Sequence, residues 1–317
     1  MAGRGAPLRF VVVGAFIADC IVNTARLPNW GDDLEARSIR TSPGGKALNQ
    51  AVALARLGAH VTTVGVIGAD SLGRDVLATL RHEGVDVSKL QIREHATTPV
   101  CVCLVGDDGA TSFLYHLGEE VALTSDVIDT ADAAIQHADA VLMTFEAPLP
   151  ALRATIESTN RHGSRLLLQP APPLREPVDL ATLPWNGVDL LLPNEAEARA
   201  LVHGVDPEAL AAEDLAAAVA RTLAVPTVVV TLGGAGCVAH SAGTSRHYPA
   251  HRVTEVIDST GASDAFAAAL ALELTGGGSE SDAIQAALSA AALAVERAGG
   301  HESMPFAAAL RAAMPLS

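Results

Sequence analysis

The sequence predicts an α/β fold with a mostly parallel central sheet, helices on both faces and a small β-sheet standing off it. Apolar runs of strand length alternate with helical patterns along most of the 317 residues. These runs are continuous rather than alternating in polarity, as strands buried on both faces are. Hydrophobic residues make up 49% of the chain but aromatics only 3%. Alanine therefore supplies much of the apolar content, which favours helices packed closely on a sheet.

The first strand is predicted over 9–14 (RFVVVG), followed by a helix over 44–57 that two glycines open and Gly58 closes. A strand over 61–66 and a helix over 72–82, ended by Gly84, come next. Further strands are expected over 140–145, 165–169, 188–192 and 226–231, separated by helices over 149–161, 195–202 and 208–223. A helical C-terminal third spans 261–275, 281–297 and 305–313. Two stretches break the βα rhythm. Around 16–42 the segments are short and interrupted by Pro28, Asn29 and Gly31. Around 98–118, PVCVCLV and TSFLYHL flank Asp107-Asp108-Gly109, a hairpin signal. Both are expected to form a small antiparallel sheet that acts as a lid over a site, although a structural edge hairpin has the same signature. The chain is expected to be one domain over 1–317 carrying that lid.

Acidic residues number 36 and basic residues 21, giving a formal net charge of −15. A surface for coating nucleic acid needs clustered Lys and Arg, and base stacking needs aromatics; the acidic balance and the 3% aromatic content argue against both. The cysteines Cys20, Cys101, Cys103 and Cys237 form no CxxC pair, so a zinc knuckle and a disulfide framework are both disfavoured. They are expected to be buried, reduced thiols. No apolar stretch of signal length precedes the first strand. The alanine-rich segments near 266–274 and 283–295 are too short to span a bilayer. A cytoplasmic protein without a membrane partner is expected.

Four segments have patterns that suit chemistry. Asp258-Ser259-Thr260-Gly261-Ala262-Ser263-Asp264 follows an extended run over 252–257 and opens an alanine-rich helix. Its small residues let the backbone turn tightly and approach a ligand. The first amides of a helix lack intrahelical partners and the aligned peptide dipoles make that end positive, so phosphate is stabilised there. A carboxylate at this mouth, Asp264, is placed to take a proton from an attacking hydroxyl, and phosphoryl transfer needs little beyond positioning, a base and charge stabilisation. The same residue also fits a helix cap that merely satisfies backbone donors. Pro43-Gly44-Gly45-Lys46-Ala47-Leu48-Asn49-Gln50 offers glycines for close approach and an Asn that both donates and accepts; it lacks the GxxxxGK[ST] spacing of a phosphate-binding P-loop. Asn194 and Glu197 follow a strand and share one side of a helix start, where they suit water-mediated Mg²⁺ or an ordinary capping box. Thr231, Gly233 and Gly236 form a glycine turn after the next strand. Glu146 ends the strand over 140–145 and by itself reads as a solvated residue.

Taken together, the order and spacing of these segments resemble the ribokinase family of sugar and nucleoside kinases, the phosphofructokinase-B type, over essentially the whole chain. Gly44-Gly45-Lys46 to Asn49, continuing through Gly68, Asp70 and Gly73, is similar to the first family signature; the segment 258–264 is similar to the second. The resemblance implies a ribokinase-like fold and an ATP- and Mg²⁺-dependent kinase acting on a primary hydroxyl of a ribose-like sugar. It implies Asp264 as the base, with the backbone of Gly261, Ala262 and Ser263 as the anion hole. Asp19, Gly45, Lys46, Asn49 and Glu146 would hold the sugar. Asn194, Glu197, Thr231, Gly233 and Gly236 would serve the nucleotide. Asp258, Thr260, Ala294, Arg297, Gly299 and Ser303 would hold an activating K⁺. The small sheet would pair two subunits into a homodimer.

Three departures bear on substrate. Ser263 replaces the last glycine of GAGD, and Ala47 the third glycine of GGKGAN. Ile17 stands where ribokinases carry an Asn two residues before the sugar-binding Asp19. An apolar side chain cannot replace that hydrogen bond, so the preferred substrate should change. Ile17 and the neighbouring Phe16 would suit an apolar group on the anomeric carbon, which makes a nucleoside kinase the alternative. A non-catalytic sugar- or nucleotide-binding protein is the alternative of another class. A dehydrogenase is a distant third, since no GxGxxG follows the first strand.

Overall fold

The computed structural model describes residues 6–107, 111–172, 180–202 and 206–314. Its strands are β1 (Arg9–Val13), β2 (Ile17–Thr24), β3 (Ser38–Gly44), β4 (His60–Gly68), β5 (Asp86–Arg93), β6 (Val100–Gly106), β7 (Thr111–His116), β8 (Ala140–Thr144), β9 (Arg165–Gln169), β10 (Leu190–Leu191), β11 (Thr227–Thr231), β12 (Cys237–Ser241) and β13 (Thr244–Tyr248). Nine of them form one sheet in the order β13-β12-β11-β10-β9-β8-β1-β4-β5. All its pairs are parallel except β11–β12 and β12–β13, which add an antiparallel hairpin at one edge.

The side chains of β1 show why the sheet is covered twice. Phe10 and Val12 pack on one face, with helices Lys46–Arg56, Ala262–Thr275 and Glu280–Val295. Val11 and Val13 pack on the other, with helices Leu149–His162 and Ala212–Leu223. Buried alanines such as Ala265, Ala268, Ala269 and Ala271 leave no bulk between helix and sheet, so the helices approach closely. No helix among the described residues is long and apolar enough to cross a membrane.

The expected small sheet is present, in the order β3-β2-β6-β7, but it is mixed rather than antiparallel: β2 and β6 run parallel. Each of these strands is joined to a different neighbour by a hairpin, so the two hairpins meet side by side in the same direction. Residues 108–110 of the hairpin signal lie outside the described residues. Phe16 belongs to the core and not to the small sheet: it is fully buried, against Gly65.

Other boundaries move for local reasons. The helix expected from 44 begins at Lys46, because Gly44 still pairs with Ile17 in the small sheet and Gly45 caps with φ +88°. The strand expected over 188–192 shrinks to β10, and the helix expected from 208 begins at Ala212 after a 3₁₀ turn Pro207–Ala209. The run over 252–257 forms no strand. All four cysteines are free, as expected, but only Cys103 and Cys237 are buried; Cys20 and Cys101 are partly exposed.

Candidate active site

The parallel strands all deliver their carboxyl ends to one edge of the sheet, the place where α/β folds bind ligands. Glu146 follows β8, Gln169 ends β9, Asn194 follows β10 and Thr231 ends β11. Helices Lys46–Arg56 and Ala262–Thr275 bring their amino ends to the same edge and pack against each other.

A cavity of about 430 Å³ opens there, lined by Asp19, Gly45, Lys46, Asn49, Glu146 and Asp264 among others. The structure therefore brings together every residue assigned to the sugar and the carboxylate assigned to the base. Ile17 and Cys101 complete an apolar part of its wall. Cys101 pairs with Asp19 across the β2–β6 ladder, and burial, reinforced by Asp19, pushes its thiol up to about 12. It is a neutral wall residue and not a nucleophile.

Asp264 is 2% exposed and does not cap its helix. The cap is Gly261, in the left-handed region at φ +78°. A side chain there would be strained and would meet Met304 Cε at 2.6 Å. Ser263 lies inside the helix with ordinary helical backbone, so its departure from glycine adds no strain. The Asp264 carboxylate is instead held from the neighbouring helix: Asn49 Nδ2 donates to Oδ2 at 2.9 Å and Gln50 Nε2 to Oδ1 at 3.3 Å. Burial raises the Asp264 pKa, while Lys46 and these two amides oppose the rise. Ala47, at the family's third glycine, is a fully buried helix residue that touches no ligand surface of this cavity.

The electrostatics centre on Lys46. Burial works against its charge, but the carboxylates of Asp264, Glu146, Glu197 and Asp19 outweigh this and hold the ammonium above its usual range. Glu146 is not the solvated residue that a lone strand-end Glu suggests. Burial, with the Asp264 and Asp19 charges adding to it, lifts it to about 8 despite Lys46. Asp19 rises to about 7 through burial and the charges of Glu302 and Asp264. Gly44 makes room for it: the Asp19 carboxylate occupies the space that any side chain at 44 would take. Asn49 Oδ1 is a buried acceptor without a partner, beside Gly300.

Of the remaining assigned residues, Thr260, Gly261 and Ser263 line this cavity; Asn194, Glu197, Thr231, Gly233, Gly236, Asp258, Ala294, Arg297, Gly299 and Ser303 are not in its wall. Asn194 and Glu197 form a complete capping box: Asn194 Oδ1 accepts from the Glu197 amide and Glu197 Oε2 from the Asn194 amide, both at 2.8 Å. Asn194 also bridges Thr231 in the sheet, so these two nucleotide-side segments meet. Gly233 faces open space, whereas Gly236 is needed for packing: a Cβ there would strike the backbone of Tyr248 and Ala250. Asp258 ties the 258–260 turn to the 297–299 turn by accepting from the Thr260 and Gly299 amides at 2.9 Å each. Burial pushes its carboxyl up, but these amides outweigh that and keep it below its usual range. Ala294 receives the Arg297 amide, and the Ser303 hydroxyl donates to Gly300 O at 2.8 Å.

Gln50 and Gln169 have no counterpart among the residues assigned from sequence. Their signal was available: a glutamine inside the fully buried stretch Ala47–Leu54 has to find a buried partner.

Comparison with known proteins shows the family. The chain matches the pfkB family carbohydrate kinase model over residues 8–307 and belongs to that family. It is an ATP-dependent sugar kinase of the ribokinase type. It is 30% identical over 294 residues to a ribokinase of Haemophilus influenzae, covering 93% of this chain and 94% of that one. It is 29% identical over 297 residues to a deoxyribokinase of Salmonella typhi, covering 93% and 94%. A structure of Arabidopsis thaliana ribokinase complexed with ribose and ATP superposes with a TM-score of 0.83 at 25% identity, covering 98% of this chain and all of that one.

Proposed function

We propose that the protein transfers the terminal phosphoryl group of ATP to the primary hydroxyl of ribose or 2-deoxyribose, with Asp264 as the general base. The observation that carries this is a buried carboxylate at the amino end of a helix, inside a cavity whose other polar walls suit a small polyol. The hydroxyl proton passes to Asp264 as its oxygen attacks phosphorus. Lys46 and the helix amino end offset the charge that develops on the phosphoryl oxygens. The Ala262 and Asp264 amides already donate to Ser259 O and Gly261 O at 3.3 and 3.0 Å, so Gly261 and Ser263 are the amides that serve the anion.

Asp19, Asn49 and Glu146 are assigned to the secondary hydroxyls. Ile17 presents an apolar wall, which suits a sugar carbon that bears no hydroxyl and so supports 2-deoxyribose beside ribose. Phe16 is sealed in the core, so the support it lent to a nucleoside is lost. Asn194 and Glu197 provide hard oxygen donors, and Mg²⁺ held there through water would neutralise nucleotide phosphates. The turns that Asp258 joins supply carbonyl oxygens that suit K⁺. We further assign the small sheet as a lid over this one-domain chain and as the face that pairs two copies, on the strength of its exposed Ile39, Phe113 and Leu114. A cytoplasmic location fits the free thiols.

Coupled ADP release across a panel of pentoses, hexoses and nucleosides tests this assignment. Ribose or 2-deoxyribose should give the highest kcat/KM, with turnover requiring Mg²⁺ and rising with K⁺. A nucleoside preferred over both pentoses would overturn the substrate assignment.

A further inference from the structure

We propose that Gln50, itself oriented by Gln169, is a positioning residue that sets the direction and charge of the Asp264 carboxylate. The inference rests on Asp264 being the general base. Gln50 is 1% exposed and Gln169 6% exposed, and they come from a helix and from the carboxyl end of β9 respectively. Gln50 Nε2 donates to Gln169 Oε1 at 2.6 Å and to Asp264 Oδ1 at 3.3 Å. An amide nitrogen has two hydrogens, so both are committed. The opposite rotamer of the amide would turn the Gln50 carbonyl oxygen onto two acceptors, the Gln169 oxygen and the Asp264 carboxylate. With Gln169 Oε1 and Asp264 Oδ1 both accepting, the nitrogen end of Gln50 faces the base.

The geometry divides the labour at Asp264. Asn49 holds Oδ2 and Gln50 holds Oδ1, so the carboxylate cannot rotate without losing both donors. Asn49 also lines the cavity, and its Oδ1 has no partner. Gln50 is absent from the cavity wall and acts only through Asp264. A donor to the ionised form favours that form. Other charges facing Asp264 are Lys46 on the Gln50 helix, Asp19 on β2, Glu146 after β8 and Glu197 on the helix after β10. Burial favours the neutral acid, and only Lys46 and the Asn49 and Gln50 amides oppose it, so losing the Gln50 donor should move the base toward its neutral, inactive form.

The test is the pH dependence of kcat/KM for the preferred pentose in Gln50→Leu, Gln169→Leu and the double variant, with Asp264→Asn as control. Each single variant should move the acid limb up by about one pH unit and so lower kcat/KM roughly tenfold on that limb, as expected for loss of one bond to a charged group. The double variant should match the singles rather than multiply them, since both act through one contact. Gln50→Met replaces Gln50→Leu if the latter does not fold. A folded variant whose acid limb stays in place, or a double variant whose losses multiply, overturns the positioning role. Asp264→Asn retaining wild-type turnover would instead overturn the base assignment beneath it.

Discussion

Asp19→Asn should make the ligand-free protein more stable and the enzyme worse, and the stabilisation should depend on pH. Asp19 is partly buried on β2 and raised by burial, Glu302 and Asp264 from an ordinary 3.8 to about 7. Unfolded chains release this proton near the ordinary value. Between there and about pH 7 the folded state binds a proton that the unfolded state has lost, so stability declines as pH rises through that window. At about 1.4 kcal/mol per pH unit the whole interval is worth about 4 kcal/mol as an upper bound. Because an amide still has polar atoms to bury, about half should be regained. For a chain of this size about 1 kcal/mol moves Tm by about 2 °C. The Asn variant should therefore gain about 4 °C at pH 8 and about 2 °C at pH 5, where only the first part of the window above the unfolded value has been crossed. Its kcat/KM for the pentose should fall roughly a hundredfold with the loss of a charged hydroxyl acceptor. Thermal melts at the two pH values decide the matter: an equal gain at both, or a loss at pH 8, would refute the reasoning.

Three further outcomes follow from particular contacts. Gly44→Ala places a methyl group where the Asp19 carboxylate sits, so KM for the pentose should rise at least about tenfold, read by steady-state kinetics. Arg56→Ala removes a guanidinium that binds Glu83 at 2.7 Å and the carbonyls of His301, Glu302 and Met304. It should cost about 3–5 kcal/mol in denaturant unfolding, because the Glu83 carboxylate is left in a largely buried place. Ile17→Asn should shift the ratio of kcat/KM for ribose over 2-deoxyribose upward by about tenfold or more; an unchanged ratio would contradict the apolar-wall assignment.

The main sheet was legible because its strands are continuous apolar runs between helices with glycine ends. What escaped were elements whose sequence carries no such run. β5 reads DVSKLQIR and β13 reads TSRHY, with mixed polarity at sheet edges that are only half covered. The helices Ser125–Thr130 and Asp132–Gln136 are too short for a periodic signal. The parallel β2–β6 pair joins strands far apart in the chain, and a hairpin signal says nothing about which hairpins meet. In the site, the glycine-rich turns and Asp264 stood out by residue type. The raised state of Glu146 and Asp19 did not, because it arises from burial and from carboxylates distant in the chain, Asp264 for both. The Gln169–Gln50–Asp264 chain was hidden for the same reason: it joins residues more than a hundred positions apart.

Asp264→Asn tests most directly whether the head of the helix Ala262–Thr275 carries the proton acceptor. The substitution keeps the shape and an acceptor oxygen while removing the charge. Pentose-dependent ADP release should fall by about 10³-fold or more, while calorimetric ATP binding stays within about threefold of the native protein. Turnover within tenfold of native, with the same ATP affinity, would contradict it.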